Sequence, residues 1–226
     1  MTGAVLFDVD GTLVDSNYVQ VDAWVRAFRD AGVEVDAWHV HRSLGQAGPQ
    51  LIERVARSRG LELDDAVADR VADAHSRHSA GSAHLLRAFD GAADLVRAVR
   101  ERGARAVLAT SASPDTLGHL REVLDVEEHL HAVTSADDVE VSKPEPQLVR
   151  VALDAAGVEP SDAVFVGDSV WDALAAGRAG VPCVAVLSGG VGRQELVDAG
   201  AVEVYDDVAA LLAGLDGSAL AAAWAR

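Results

Sequence analysis

Apolar residues recur along the chain in two registers. Three short runs, AVLFDVD (residues 4–10), ARAVLATSAS (104–113) and DAVFVGDS (162–169), are continuous where apolar and close on polar residues at their C-terminal side. VPCVAVLS (181–188) and the weaker AVEVYD (201–206) share that character. Runs this short, bounded by turn formers, predict buried strands. Between them, 91–102, 115–124, 145–156, 171–179 and 207–214 carry the three-and-four spacing of amphipathic helices. Strands alternating with helices predict an α/β core, a doubly wound, Rossmann-like sheet that is mostly parallel. The chemistry of such sheets collects at the carboxyl ends of strands near a topological switch point. Asp8, Thr110 and Asp168 all fall at such ends.

Residues 16–88 have a different texture. NYVQVDAWVRAFRDAG, GPQLIERVARSRG and LDDAVADRVADAHSRHSAG are helical in spacing, with Gly at the ends and no convincing strand. The pattern predicts a small all-helical domain at 16–88, inserted after the first strand of a core made from 1–15 and 89–226. HLLRAFDGA (84–92) serves as the return linker. The Ala-rich end, SALAAAWAR, reads as a short helix or a frayed tail.

Charge narrows the range of partners. Nineteen Lys and Arg against 36 Asp and Glu give a formal net charge of −17, and no local basic patch interrupts it. Such a surface repels nucleic acid and anionic lipid. An anionic substrate therefore needs a site where a metal or fixed positive charge is concentrated. Cys183 is the single cysteine, which excludes an intrachain disulfide and a cysteine zinc cluster. MTGAVLFDVD has no basic start and too short an apolar stretch for a signal peptide, and no window is apolar enough to span a membrane. The expectation is a reduced, cytoplasmic protein.

The first run carries the densest chemistry. In an extended chain Asp8 and Asp10 point to the same side. Gly11 then permits a sharp departure, and Thr12 offers a hydroxyl and an amide. A lone D-x-D is explained by a solvated strand end with an Asx turn. The longer string DVDGTLVDS, followed by a helix, is far rarer by chance.

Together with LATSAS, SKPEP and VFVGDSVWD, in that order, it resembles the four motifs of the haloacid dehalogenase superfamily. The similarity covers essentially the whole chain and is to members with a helical cap, of the phosphoglycolate phosphatase and β-phosphoglucomutase type. It implies hydrolysis of a small phosphorylated metabolite through an aspartyl phosphate. Asp8 is then the nucleophile, and Asp10 the acid for the leaving alkoxide and the base for water. Dehalogenase members lack the second aspartate, so Asp10 favours phosphate chemistry.

Electrostatics sets the remaining needs. A phosphate dianion meeting a carboxylate at ~4 Å is repelled by ~4 kcal/mol per charge pair at an effective dielectric near 20. Mg²⁺ suits an oxygen-rich site of this kind. The resemblance implies its ligation by Asp8, the Asp10 backbone carbonyl and Asp168, with Asp172 in support. Asp168 and Asp172, four apart, are expected on one face of a helix beginning there; either might instead only cap it. Lys143, before Pro144, is expected to bridge phosphate and Asp8, with the next helix starting near Glu145.

Thr110 is preferred as the strand-end hydroxyl for phosphate, with Ser111 adding an amide or second hydroxyl; the register is open by one residue. WHVHRSLGQAGPQL resembles the family's cap loop over the active site, which makes Arg42 and Gln46 the expected contacts to the non-phosphate part of the substrate, while His39 and His41 diverge on a helix and read as ordinary polar residues. SGGVG (188–192) matches no nucleotide loop and reads as a strand-to-helix turn. Trp24, Trp38 and Trp171 read as packing residues. Two alternatives stay open: a sugar-phosphate mutase with the same motifs, and a non-catalytic phosphometabolite-binding protein. The metabolite and the oligomeric state are not fixed by the sequence.

Overall fold

The computed structural model describes residues 2–225. The first strand, β1 (Ala4–Phe7), is buried on both faces, and the chain leaves it toward a two-residue strand, β2 (Val14–Asp15). Helices α1 (Asn17–Asp30), α2 (Ala37–His41), α3 (Gly48–Ser58) and α4 (Asp65–Ser82) follow. The chain returns through β3 (Arg87–Ala88), paired antiparallel with β2. Then come α5 (Ala92–Glu101), β4 (Arg105–Ala109), α6 (Pro114–Leu124), β5 (Leu130–Thr134) and α7 (Gln147–Ala156). After them lie β6 (Ala163–Gly167), α8 (Val170–Ala179), β7 (Cys183–Val186), α9 (Arg193–Asp198), β8 (Ala201–Tyr205) and α10 (Val208–Ala213).

Six strands form one parallel sheet in the order β5-β4-β1-β6-β7-β8. Strand alternation divides its side chains between two interiors. Val5, Phe7, Leu108, Val166 and Val184 pack on one face with Leu95 of α5, Leu120 of α6 and Leu211 of α10. Ala4, Leu6, Val107 and Phe165 pack on the other with Leu148 of α7 and Ala173 of α8. Helices on both faces explain why the strands read as continuous apolar runs rather than alternating ones. Because β1 lies between β4 and β6, its carboxyl end is the switch point of the sheet.

The helical insert builds an apolar cluster of its own from Trp24, Phe28, Val40, Leu51, Val55 and Val71. This cluster is separate from the two interiors that flank the sheet. Among the described residues no helix is long and apolar enough to cross a membrane.

Several details differ from the sequence expectations. β5 was not foreseen: it is an edge strand with only Thr134 buried, and His131 interrupts its apolar pattern. The six-residue α9 is too short for a periodic signal. The two-residue β2 and β3 sit where only linkers and helices were expected. The helix after Lys143 starts at Gln147 instead of Glu145, because residues 142–145 close a turn in which Glu145 N–H donates to Ser142 O at 3.0 Å. Trp38 is 63 % exposed and does not pack as expected, whereas Trp24 is buried.

Candidate active site

The site begins where β1 stops. Asp8 N–H donates to Val166 O at 2.9 Å, so the sheet ladder still holds the residue after the strand ends. The chain then wraps over one carbonyl: Val9 O accepts from the amides of Thr12, Leu13 and Val14. Gly11, at φ +72°, supplies the left-handed step the wrap requires. This loop puts Asp8 and Asp10 on one cavity of about 280 Å³, between the strand ends and the helical insert.

Lys143, the chain's only lysine, is fully buried. Its Nζ donates to Asp8 Oδ1 and to Asp172 Oδ1, each at 2.7 Å. Asp172 is the third residue of α8, and its Oδ2 accepts from both the amide and the hydroxyl of Ser169, the residue that caps the helix. One carboxylate thus locks the helix start and fixes the ammonium. The expectation that Asp168 and Asp172 share a helix face is corrected here: α8 starts at Val170, and Asp168 lies before the cap.

Asp168 is held by three separate segments. Thr12 Oγ1 donates to its Oδ1 at 2.9 Å, and Asn17 Nδ2 to its Oδ2 at 3.0 Å. Gly189 leaves the room it needs, since a Cβ there would stand 1.6 Å from Asp168 Oδ2. Gly189 O also accepts from Asn17 Nδ2 at 3.3 Å and lies 2.9 Å from His41 Nε2. SGGVG is therefore a strand-to-helix turn, as expected, and also a wall of this site. His39 faces away, with Nδ1 2.9 Å from Ser58 Oγ.

Three carboxylates face one ammonium. Asp8, Asp168 and Asp172 each bring an oxygen within 4.8 Å of the others, all buried. Burial raises Asp8 well above the ordinary carboxylate range, Asp172 and Asp168 raise it further, and Lys143 opposes them. Asp168 is pushed up to about 7 by burial and by the facing Asp172, against the hydrogen bonds from Thr12 and Asn17. Burial also raises Asp10, opposed by Ser16 Oγ, which donates to its Oδ1 at 2.6 Å. Burial works against the Lys143 charge, yet Asp172 and Asp8 outweigh it and hold the ammonium protonated. Hard oxygen donors with more negative charge than their one cation balances fit a divalent ion such as Mg²⁺. Asp8, Asp168 and Asp172 are the side chains that could hold such an ion, although both Asp172 oxygens are also bonded to Lys143 and Ser169; the Asp10 carboxylate stands outside that cluster.

The second motif resolves differently from the preferred reading. Thr110 Oγ1 accepts from Ala112 N–H at 3.1 Å and does not line the cavity. Ser111 does line it, and its buried Oγ has no protein partner. The hydroxyl available to a ligand is thus one residue later, at the turn into α6. Of the two insert residues singled out, Gln46 reaches the cavity: its Nε2 donates to Lys143 O at 3.4 Å and its buried Oε1 is unpartnered. Arg42 does not line it. Its guanidinium pairs with Glu195 of α9, joining the insert to the core.

Sequence reasoning missed the roles of Ser16, Asn17 and Gly189, although Ser16 closes the first motif and Asn17 directly follows it. It also missed a buried polar chain in the insert. His75 Nε2 lies 2.8 Å from Gln20 Oε1, Gln20 Nε2 donates to Ser79 Oγ at 3.3 Å, and the His75 ring stacks on Trp24 with centroids 3.6 Å apart.

The haloacid dehalogenase-like hydrolase family matches residues 2–180. A phosphoglycolate phosphatase of Rhodospirillum rubrum is 33% identical over 217 residues, covering 93% of this chain and 90% of that one. A hydrolase from Pseudomonas syringae superposes with a TM-score of 0.91 at 32% identity, over 95% of this chain and 98% of its own. A putative β-phosphoglucomutase from Bacteroides vulgatus, 21% identical with a TM-score of 0.88 over 100% of this chain and 91% of that one, shares the fold. With Asp8, Lys143, Asp168 and Asp172 gathered at the switch point, these likenesses converge: the chain belongs to the haloacid dehalogenase-like hydrolases and is a phosphatase of that family.

Proposed function

We propose that the protein is a Mg²⁺-dependent phosphatase that hydrolyses a small phosphate monoester through an aspartyl phosphate on Asp8. The observation that carries this reading is the Asp8 carboxylate at the switch point, 2.7 Å from a buried ammonium, on a cavity it shares with Asp10 and Ser111. An Asp8 oxygen bonds to phosphorus as the bond to the leaving alkoxide breaks, and Asp10, its pKa raised by burial, gives that alkoxide a proton. Asp10 then takes a proton from water as its oxygen attacks the acyl phosphate, which releases inorganic phosphate and restores Asp8. Lys143 holds the Asp8 carboxylate from behind, and the Ser111 hydroxyl faces the charge that builds on the phosphoryl oxygens. A bound Mg²⁺ would neutralise carboxylate and phosphate charge together.

Residues 1–15 and 89–226 form the catalytic core in this reading, and 16–88 a cap that closes over substrate and excludes bulk water. A cavity of about 280 Å³ suits a small metabolite and excludes polymers. The single buried cysteine and the acidic surface agree with a cytoplasmic enzyme without nucleic-acid or membrane partners.

The test is release of phosphate from p-nitrophenyl phosphate with Mg²⁺ and with EDTA. Turnover should require the ion and vanish in Asp8→Asn; equal rates from wild type and mutant would remove Asp8 as the nucleophile. Product analysis with a sugar phosphate separates hydrolysis from mutase chemistry, which would return an isomeric sugar phosphate and little free phosphate.

A further inference from the structure

We propose that the substrate of this cavity is the monophosphate of a neutral, hydroxylated alcohol carrying no second anionic group. The inference deepens the phosphatase reading and rests on it.

The wall opposite Asp8 is built by the insert, and its chemistry is one-sided. The acidic residues on the cavity are Asp8, Asp10 and Asp137, and among the described residues no Lys or Arg lines it. Lys143 lies behind the carboxylates and is spent on Asp8 and Asp172. The insert arginines nearest in sequence look elsewhere: Arg42 pairs with Glu195, and Arg54 stacks over Trp171 at 4.6 Å. His75 is the one lining group able to become a cation. Burial, with His78 adding to it, lowers its pKa to about 3, so the ring facing the cavity is neutral.

Hydrogen-bonding capacity points the same way. Each side-chain amide nitrogen on the cavity already donates within the protein: Gln46 to Lys143 O, Asn17 to Asp168 and Gly189, and Gln20 to Ser79. Beside the serine and threonine hydroxyls, two acceptors stand without a partner of their own. Gln46 Oε1 is buried without a partner. Because Gln20 Oε1 can only accept, His75 Nε2 carries the ring hydrogen, which leaves Nδ1 as a lone-pair acceptor. Buried acceptors are satisfied by hydroxyl donors and repel carboxylate or phosphate oxygens. Trp24, Leu44, Pro49 and Leu51 supply apolar surface for the carbon skeleton between those hydroxyls.

A carboxylate next to the phosphate, as in 2-phosphoglycolate, would enter a region of acidic residues and bare acceptors with no cation to meet it. The second phosphate of a bisphosphate would fare no better. The chain is therefore similar in sequence to a phosphoglycolate phosphatase, while the part of its insert that lines the cavity carries no cation to select 2-phosphoglycolate.

The experiment measures kcat/KM with Mg²⁺ for glucose 1-phosphate, glucose 6-phosphate, 2-phosphoglycolate and a hexose 1,6-bisphosphate, with p-nitrophenyl phosphate as reference. The better neutral monophosphate should exceed each of the two more anionic compounds by ~10-fold or more. In Gln46→Arg the ratio should move at least ~10-fold toward 2-phosphoglycolate, through KM rather than kcat. A wild type that prefers 2-phosphoglycolate or the bisphosphate overturns the proposal, as does a folded Gln46→Arg with an unchanged ratio. Release from none of the five compounds would instead remove the phosphatase reading on which the proposal stands.

Discussion

Asp168 offers the sharpest test of the charge balance, because its shift fixes both a sign and a pH window. Its folded pKa is about 7 against an ordinary 3.8, with burial the main cause and Asp172 the second. A carboxylate raised on folding prefers its proton in the folded state. Its stabilisation is complete below about pH 4 and is lost as pH rises through about 7. Roughly three units at ~1.4 kcal/mol each give ~4 kcal/mol as the size of that loss. Asp8 and Asp10 are shifted in the same direction and deepen it. The metal-free protein should thus lose stability between pH 5.5 and 8, opposite to the behaviour of an ordinary salt-bridged aspartate.

Mg²⁺ competes with the same proton. At pH 5.5, ~1.5 units below the Asp168 value, the apparent affinity should be roughly 30-fold weaker than at pH 8. For an ion well above its dissociation constant, that difference is ~2 kcal/mol of stabilisation. For a chain of this length it corresponds to ~4–8 °C in Tm. The assay is thermal unfolding at both pH values, with Mg²⁺ and with EDTA, for wild type and Asp168→Asn. The mutant controls for the eight histidines and for the general repulsion of a chain at −17. The reasoning fails if Mg²⁺ shifts Tm equally at both pH values, or if Asp168→Asn keeps the wild-type slope in EDTA.

The remaining predictions address separate atoms. Ser111→Ala, which removes an unpartnered hydroxyl, should raise KM for a phosphate ester by ~10-fold with little change in stability, whereas Thr110→Val should leave Ala112 N–H unpaired and lower urea stability by ~1 kcal/mol with KM nearly unchanged. The reverse pattern would restore Thr110 as the ligand. Gly189→Ala forces a Cβ against Asp168 and should raise the Mg²⁺ concentration for half-maximal activity by ~10-fold or more in a metal titration. Lys143→Met strips the only cation from three buried carboxylates and should destabilise the protein by ~3–5 kcal/mol in urea at pH 8, with turnover lowered by ~10³ or more. Wild-type stability in that variant would mean the ammonium is not what balances the cluster.

The strands that position the site were the most legible part of the sequence. β1, β4, β6 and β7 are buried on both faces, so their apolar runs are continuous and end sharply where the backbone meets the cavity. The same logic explains the failures. β5 lies at the sheet's edge, is only partly buried on either face, and tolerates His131. Its sequence is therefore shaped less by burial than by the need to present Thr134, whose Oγ1 donates to Leu108 O at 3.1 Å.

Within the site, legibility followed chemistry rather than distance. Residues that carry charge announced themselves, because Asp8, Asp10 and Asp168 stand beside turn formers at strand ends and Lys143 stands beside Pro144 in the turn before α7. Residues that only orient those charges did not. Asn17 looks like any polar residue at a helix start, and nothing in SGGVG indicates that Gly189 is glycine for the sake of a carboxylate arriving from residue 168. Thr110 and Ser111 show the finest limit. Both hydroxyls follow the same strand, and only the backbone turn, in which Ala112 N–H claims Thr110, leaves Ser111 free to face the cavity. The same holds for the insert: the family resemblance singled out Gln46 and Arg42 together, but they diverge because α9 supplies a carboxylate, Glu195, within reach of the arginine. That pairing ties the guanidinium to the core at α9 instead of the cavity, and among the described residues no Lys or Arg lines the cavity wall.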